Sequence, residues 1–274
     1  MKTNKSEQTA RAILQRYVES VSADLGDSVE AIILVGSLAT ASYVPGPGDI
    51  DQITILRPSA SDEVVDKVHQ YIQHAMEAFG RAVNLSTVVY RRGDLDRPWR
   101  MEWDFRPETK HFATVPDELL RIHDHGQVIY PEGFDLSQLP KPTMEEMIAY
   151  AERWRELDRE AQTQHPELKV RLEGNLSPRM AAQILLSNAI WHYCFGTGRT
   201  CFSKHEIADR LHDEVPAYRF LEGIELATKV RMSGFEDVSA ETADELSLWA
   251  RDLLDWKQRH PPAAVPLTSQ SQDG

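Results

Sequence analysis

The sequence predicts an α+β protein, a small mixed sheet with its own helices followed by an all-helical region. Three observations carry that reading. Over the first 135 residues, apolar β-branched runs alternate with stretches of helical periodicity. From Thr143 onward the apolar positions recur at helical spacing. Between the first two strand-like runs the chain is broken by Pro45–Gly46–Pro47–Gly48, a loop rather than a continuing element.

Ala10 to Leu25 places Ile13, Leu14, Tyr17, Val18 and Val21 on one helical face. Ala31 to Val35 is an unbroken apolar run, a buried strand over about 29–35 that stops at Gly36–Ser37, where a short helix begins. Asp49 to Leu56 is the second strand. Asp62 to Phe79 is a helix with Val64, Val65, Val68, Ile72 and Met76 facing inward, and Ala82 to Tyr90 is a third strand. Residues 91–110 are charged and aromatic, with Trp99 and Trp103 among them. Val128–Ile129–Tyr130 is a short strand closed by Pro131–Glu132–Gly133, so the first domain is expected to span 1–135.

The second domain, 143–259, is read as five helices: Met144 to Gln164, Pro178 to Phe195, Ser203 to His212, Ala217 to Met232 and Glu241 to Arg259. Gly196–Thr197–Gly198 stops the second, and Ser203 is the N-cap expected for the third. The tail 260–274 is rich in Pro, Ser and Gln and reads as disordered.

Composition narrows the function. A net charge of −13 excludes nonspecific nucleic-acid binding, which needs a basic face, and would attract a polycationic small molecule. No stretch approaches the roughly 18 apolar residues of a membrane span, and the N-terminus has no apolar leader core. The expectation is a cytoplasmic protein. The two cysteines, Cys194 and Cys201, have no metal-ligand spacing and do not make a disulfide framework.

The segment that carries chemistry is AIILVGSLATASYVPGPGDIDQITIL, from Ala31. On a strand, Asp49 and Asp51 point to the same side, about 6.6 Å apart. Two carboxylates held that close call for a cation, and hard oxygens beside a glycine-initiated helix suit Mg²⁺ carried on a phosphate chain. This arrangement resembles the signature of the DNA-polymerase-β-type nucleotidyltransferase superfamily. There Gly–Ser at a strand end grips a triphosphate, and Asp–apolar–Asp on the next strand holds Mg²⁺ for in-line attack on the α-phosphate. The resemblance assigns phosphate binding to Gly36 and Ser37, and metal binding and catalysis to Asp49 and Asp51.

The wider layout resembles the aminoglycoside adenylyltransferases that modify streptomycin and spectinomycin, in which substrate lies in the cleft between the two domains. Thr87–Val88–Val89 with Pro98–Trp99–Arg100, His125 to Tyr130, and Gly198–Arg199 through Ser203–Lys204 are similar to blocks of that family, in the same order. What the resemblance implies is transfer of AMP from ATP, with Mg²⁺, to a hydroxyl of an aminoglycoside-like small molecule, hence antibiotic resistance. Lys204 is the expected phosphate contact from the helical domain, with Arg199 second. Trp99 and Trp103 are candidates for stacking on a base or sugar, against the commoner use of such aromatics in packing.

Two departures stand out. The family's third carboxylate, on the third strand, serves as metal ligand and general base; here the alignment puts Asn84 there, which cannot take up a proton. Asp94, Asp96, Glu102 and Asp104 lie just downstream as replacements. In the helical domain Ser177 or Pro178 falls near an acidic drug-facing position, with Glu173 as a substitute. The alternatives are therefore nucleotidylation of a protein partner, as in toxin–antitoxin pairs, and a nucleotide-binding pseudoenzyme. The Arg199-to-His205 spacing also matches that of HEPN-type ribonucleases, though Gly196–Thr197–Gly198 places it in a turn rather than a helix.

Overall fold

A computed structural model describes residues 6–46, 48–99, 115–164 and 176–267. The chain divides into two compact units, Met1–Pro142 and Thr143–Gly274. The architecture is α+β.

The first unit is built on a four-stranded sheet in the order β3-β2-β1-β4. Strand β1 (Val29–Val35) pairs antiparallel with β2 (Ile50–Leu56) and with β4 (Gln127–Tyr130), and β2 runs parallel to β3 (Leu85–Arg91). Side chains on a strand alternate faces, and here both faces are covered. Ile32, Leu34, Ile50 and Leu56 pack under helices α1 (Glu7–Leu25) and α3 (Asp62–Ala78). Ala31, Ile33, Val35, Ile53 and Ile55 pack under α4 (Val115–His125) through Val115, Leu119 and Ile122. Between β1 and β2 lies α2 (Gly36–Ala39), a single turn.

Ser6 caps α1 by accepting from Thr9 N–H at 3.2 Å, so the helix starts earlier than the apolar pattern alone indicates. The face of β2 turned toward α1 carries a buried polar chain. Tyr17 Oη lies 2.6 Å from Thr54 Oγ1, Thr54 donates to Gln52 Oε1 at 3.1 Å, and Gln52 donates to Thr87. These groups satisfy one another, which is what allows four polar side chains into a core.

The second unit comprises α5 (Met144–Gln164), α6 (Pro178–Thr197), α7 (Ile207–Glu214), α8 (Leu221–Met232) and α9 (Ala240–Arg259). Ser177 caps α6 and Pro178 occupies its first turn; Gly198, at φ +71°, ends it in the left-handed conformation that favours glycine. Ala181, Leu185, Leu186, Ala189, Ile190 and Tyr193 of α6 form the centre of this core.

The structure corrects three expectations. The third helix begins at Ile207 rather than Ser203, because Ser203 O accepts from Glu206 and Ile207 N–H (3.2 and 3.1 Å) in a turn that its side chain does not cap. The tail, read as disordered from residue 260, is ordered through Leu267. Arg219 N–H donates to Pro266 O at 2.9 Å, Tyr218 bridges Leu267, and Ala264 and Val265 pack on the helical core. Residues 268–274 lie outside the described residues. The third correction is α4 itself, which the sequence reading left without an element. No described helix is long and apolar enough to cross a membrane.

Candidate active site at the start of β2

The corner where β1 ends and β2 begins brings Gly36, Ser37 and Asp51 together. Val35, the last residue of β1, is the register partner of Asp51. Gly36 follows at φ +72°, and a Cβ built there would sit on Asp51 Oδ2 and 3.1 Å from Asp51 Cβ. Glycine is required twice over, for its backbone conformation and for the space its missing side chain leaves to the Asp51 carboxylate. Asp49 directly precedes β2, two residues from Asp51, so strand alternation turns both toward the face that carries Ile53, Ile55 and α4. Both aspartates are half-buried.

Two hydroxyls of this segment lack protein partners among the described residues. Ser37 Oγ is buried with no hydrogen-bond partner, although the Ser37 carbonyl accepts from Ser42 N–H at 2.8 Å. Tyr43 Oη is in the same condition, and burial, with Asp49's negative charge, raises its pKa. Buried polar atoms are ordinarily satisfied, so an unpartnered serine oxygen one residue after the glycine that meets Asp51 marks a place for a polar ligand. The Gly36 N–H, by contrast, is engaged: it donates to His125 Nε2 at 3.0 Å.

Helix α4 supplies the other side of the corner. Val115, Leu119 and Ile122 face the sheet, and one residue round the helix runs a second stripe, Glu118, Arg121 and His125, at i, i+3 and i+7. Arg121 Nη2 lies 3.4 Å from Asp117 Oδ2. Asp51 is near enough for its negative charge to act on both Arg121 and Glu118. Burial pushes the Glu118 carboxyl up to about 7, Arg121 opposing and Asp117 and Asp51 adding to the rise. Burial raises Asp117 as well, against the pull of Arg121. Of these helix residues only His125 was singled out from the sequence, as the first residue of the family-like block His125 to Tyr130. The available signal was Val115–Pro116 opening an apolar 3-4 spacing with two acids in the first turn.

On β3, the register sets Ser86 beside Asp51, and Ile50 N–H donates to Asn84 O at 2.8 Å, which puts Asn84 next to Asp49. The strand therefore offers no carboxylate to the aspartate face. Asp94 and Asp96 follow Arg91 at the far end of β3, about 20 Å along a seven-residue strand. Asp94 is occupied there, accepting from Arg91 N–H at 3.0 Å. Glu102, Asp104 and Trp103 lie outside the described residues, as do Arg100 and Glu173. Trp99 packs against the α4-side core, with its indole N–H on Leu95 O at 3.1 Å.

Lys204 and Arg199 belong to the helical unit. Arg199 forms an ion pair with Glu214 at 2.7 Å, and Lys204 donates to Gln183 Oε1 at 2.8 Å. The turn that carries Lys204 also holds Ser203 Oγ and His205 Nε2, both buried without a partner among the described residues. Burial and the nearby Arg231 charge lower the His205 pKa. Arg199 and His205 both lie outside helices.

No protein-family profile and no curated protein matches this sequence. Among solved structures, a spectinomycin adenyltransferase, AAD(9) from Enterococcus faecialis, crystallised with ATP and spectinomycin, superposes with a TM-score of 0.57 at 12% identity. The match covers 88% of this chain and 99% of that one. The fold is nucleotidyltransferase-like. At that identity the likeness concerns the fold alone, and the residues above must carry the argument for chemistry.

Among the described residues no group of three or more His, Cys, Asp or Glu is arranged to hold a metal. A pair of carboxylates is nonetheless what Mg²⁺ takes when substrate phosphates and water complete its shell, and the Ser37 hydroxyl, without a partner among the described residues, is on the residue after Gly36. The donor set fits Mg²⁺ delivered with a nucleotide.

Proposed function

We propose that this protein transfers AMP from ATP to a hydroxyl of a small molecule, with an aminoglycoside-like acceptor favoured. The observation that carries the reading is the Gly36–Asp51 contact, a glycine held at φ +72° by the space an aspartate needs, with the unpartnered Ser37 hydroxyl next to it. That corner resembles a triphosphate cradle on a nucleotidyltransferase-like fold.

Asp49 and Asp51 would hold Mg²⁺, which when bound supplies charge neutralisation to the phosphates. Ser37 Oγ would donate to a phosphate oxygen, the ligand its burial otherwise denies it. Lys204 is the proposed cationic phosphate contact, and Arg199, already paired with Glu214, a weaker one. The rate enhancement would come mainly from holding the two reactants in line. A net charge of −13 favours a cationic acceptor, and an activity of this kind would serve antibiotic resistance in the cytoplasm.

The test is Mg²⁺-dependent pyrophosphate release from ATP with streptomycin, spectinomycin and related aminocyclitols. Release that depends on acceptor and vanishes in an Asp49→Asn/Asp51→Asn double variant is the expected result. A second reading, a pseudoenzyme that binds nucleotide without transfer, draws on the missing carboxylate at Asn84 and Ser86. It predicts tight MgATP binding with no acceptor-stimulated pyrophosphate.

A further inference from the structure

A one-turn helix has little of its own to hold it. The first N–H groups and last carbonyls of any helix lack partners inside it, and in α2 they are nearly all there is. Val35, the residue before α2, supplies no side-chain cap. The partners come instead from the corner between α4 and β4. His125, the last residue of α4, accepts the Gly36 N–H at 3.0 Å. Gln127, the first residue of β4, donates through Nε2 to Ala39 O at 2.6 Å. Gly36 opens α2 and Ala39 closes it, so two side chains separated by one residue hold the turn at both ends.

Local structure brings the pair there. Gly126 N–H donates to Ile122 O at 2.9 Å, and a Cβ on Gly126 would lie 2.6 Å from that same oxygen. The chain passes from α4 into β4 through this one glycine and runs beside β1, where Gln127 is the register partner of Leu34. Within the turn, Gly36 O accepts from Thr40 N–H at 3.1 Å and Ser37 O from Ser42 N–H at 2.8 Å. Leu38 is buried in the core that α1 and α3 cover. The one polar side chain of α2 is that of Ser37, and its Oγ is buried without a partner among the described residues. The backbone of the turn is tied down, and its hydroxyl is left for a ligand.

We propose that Gln127 is a positioning residue of the nucleotide site: with His125 it clamps α2 at both ends and holds the Ser37 hydroxyl where a phosphate oxygen of ATP meets it. The inference rests on the nucleotidyl-transfer reading. Gln127 acts through the turn and touches no reactant itself. Each tie constrains one end, so releasing either one lets the turn swing about the other. The two bonds are therefore coupled, and their effect on ATP passes through Ser37.

The experiment measures MgATP affinity by isothermal calorimetry, and melting temperature, for wild type, Gln127→Met, His125→Leu and the double variant. Gln127→Met is also made in a Ser37→Ala background. Methionine keeps the length of glutamine and has no donor. Expected for Gln127→Met is a Kd about three- to fivefold weaker, as one hydrogen bond warrants. Gln127 is exposed, so Tm should stay within about 2 °C of wild type. The double variant should lie within about twofold of His125→Leu alone, and Gln127→Met should change nothing once Ser37 is alanine. A side chain that served stability alone would lower Tm and weaken MgATP equally with and without the Ser37 hydroxyl. That result overturns the assignment, as do losses that multiply in the double variant, or a Gln127→Met affinity equal to wild type. In each of those cases the transfer reading stands. Wild type that binds no MgATP overturns the transfer reading, and this assignment with it.

Discussion

The backbone N–H of Gly36 donates to Nε2 of His125, 3.0 Å away and 89 residues along the chain. For the ring to accept there, its proton must sit on Nδ1, which faces Asp124 Oδ2 at 3.2 Å. The bond therefore fixes the tautomer, and it fastens the C-terminal end of α4 to the loop proposed to cradle phosphate. The side chain of His125 is 10% exposed, so water does not readily substitute for the glycine amide.

Replacing His125 separates an acceptor's role from a ring's. Glutamine places Oε1 close to where Nε2 lies, and leucine offers no acceptor. His125→Leu should weaken MgATP binding about three- to tenfold, the worth of one hydrogen bond of about 0.5–1.5 kcal/mol. His125→Gln should restore most of it. Isothermal calorimetry decides; equal affinities in both variants would show that the bond does not position the loop.

Gly36→Ala tests the corner directly. A left-handed alanine costs about 1–2 kcal/mol by itself, and its methyl must displace the Asp51 carboxylate. The expected outcome is a modest drop in melting temperature with a disproportionate loss of MgATP binding. A variant that melts lower and binds normally would mean that Asp51 can move aside without consequence.

Asp51→Asn and Asp49→Asn should each cost several kcal/mol of transition-state stabilisation, about two to three decades in pyrophosphate release at saturating Mg²⁺.

What the sequence made legible was what local pattern encodes. Ala31 to Val35 could only be a buried strand, Gly36 could only end it, and Asp49–Ile50–Asp51 declared its own spacing. Helix α4 escaped because its apolar stripe toward the sheet is short, three residues, and six of its other eight positions are acids, an arginine and histidines that mimic a solvated linker. Those charged residues matter because of where they land, over the sheet face that carries Asp51, and that placement is set by strand register and packing rather than by neighbours in the chain. The tail deceived for the opposite reason. Its Pro and Ser content signals disorder, yet Val265 packs against Gly196 and Pro266 O accepts the Arg219 N–H, contacts no composition can announce.

The helical unit carries its own pH dependence. His192 is buried in α6, with Nδ1 2.7 Å from Tyr218 Oη and its ring edge-on to Trp256. Burial, aided by the Lys257 charge, lowers its pKa from 6.5 to about 3. Because the folded value is depressed, the unfolded chain binds the proton more readily. The stability contributed by the neutral ring is present in full above pH 6.5 and is lost progressively as pH falls toward 3. The loss is of order a few kcal/mol across that interval. Hydrogen exchange of α6 and α9 peptides should therefore accelerate sharply between pH 7 and 4.5, after correction for the intrinsic pH dependence of exchange. In His192→Asn the side-chain oxygen can still accept from Tyr218, and the buried imidazole is gone. Protection in that variant should start lower, because packing against Trp256 is lost, but fall less on acidification. Parallel pH curves in the two proteins would locate the acid sensitivity elsewhere.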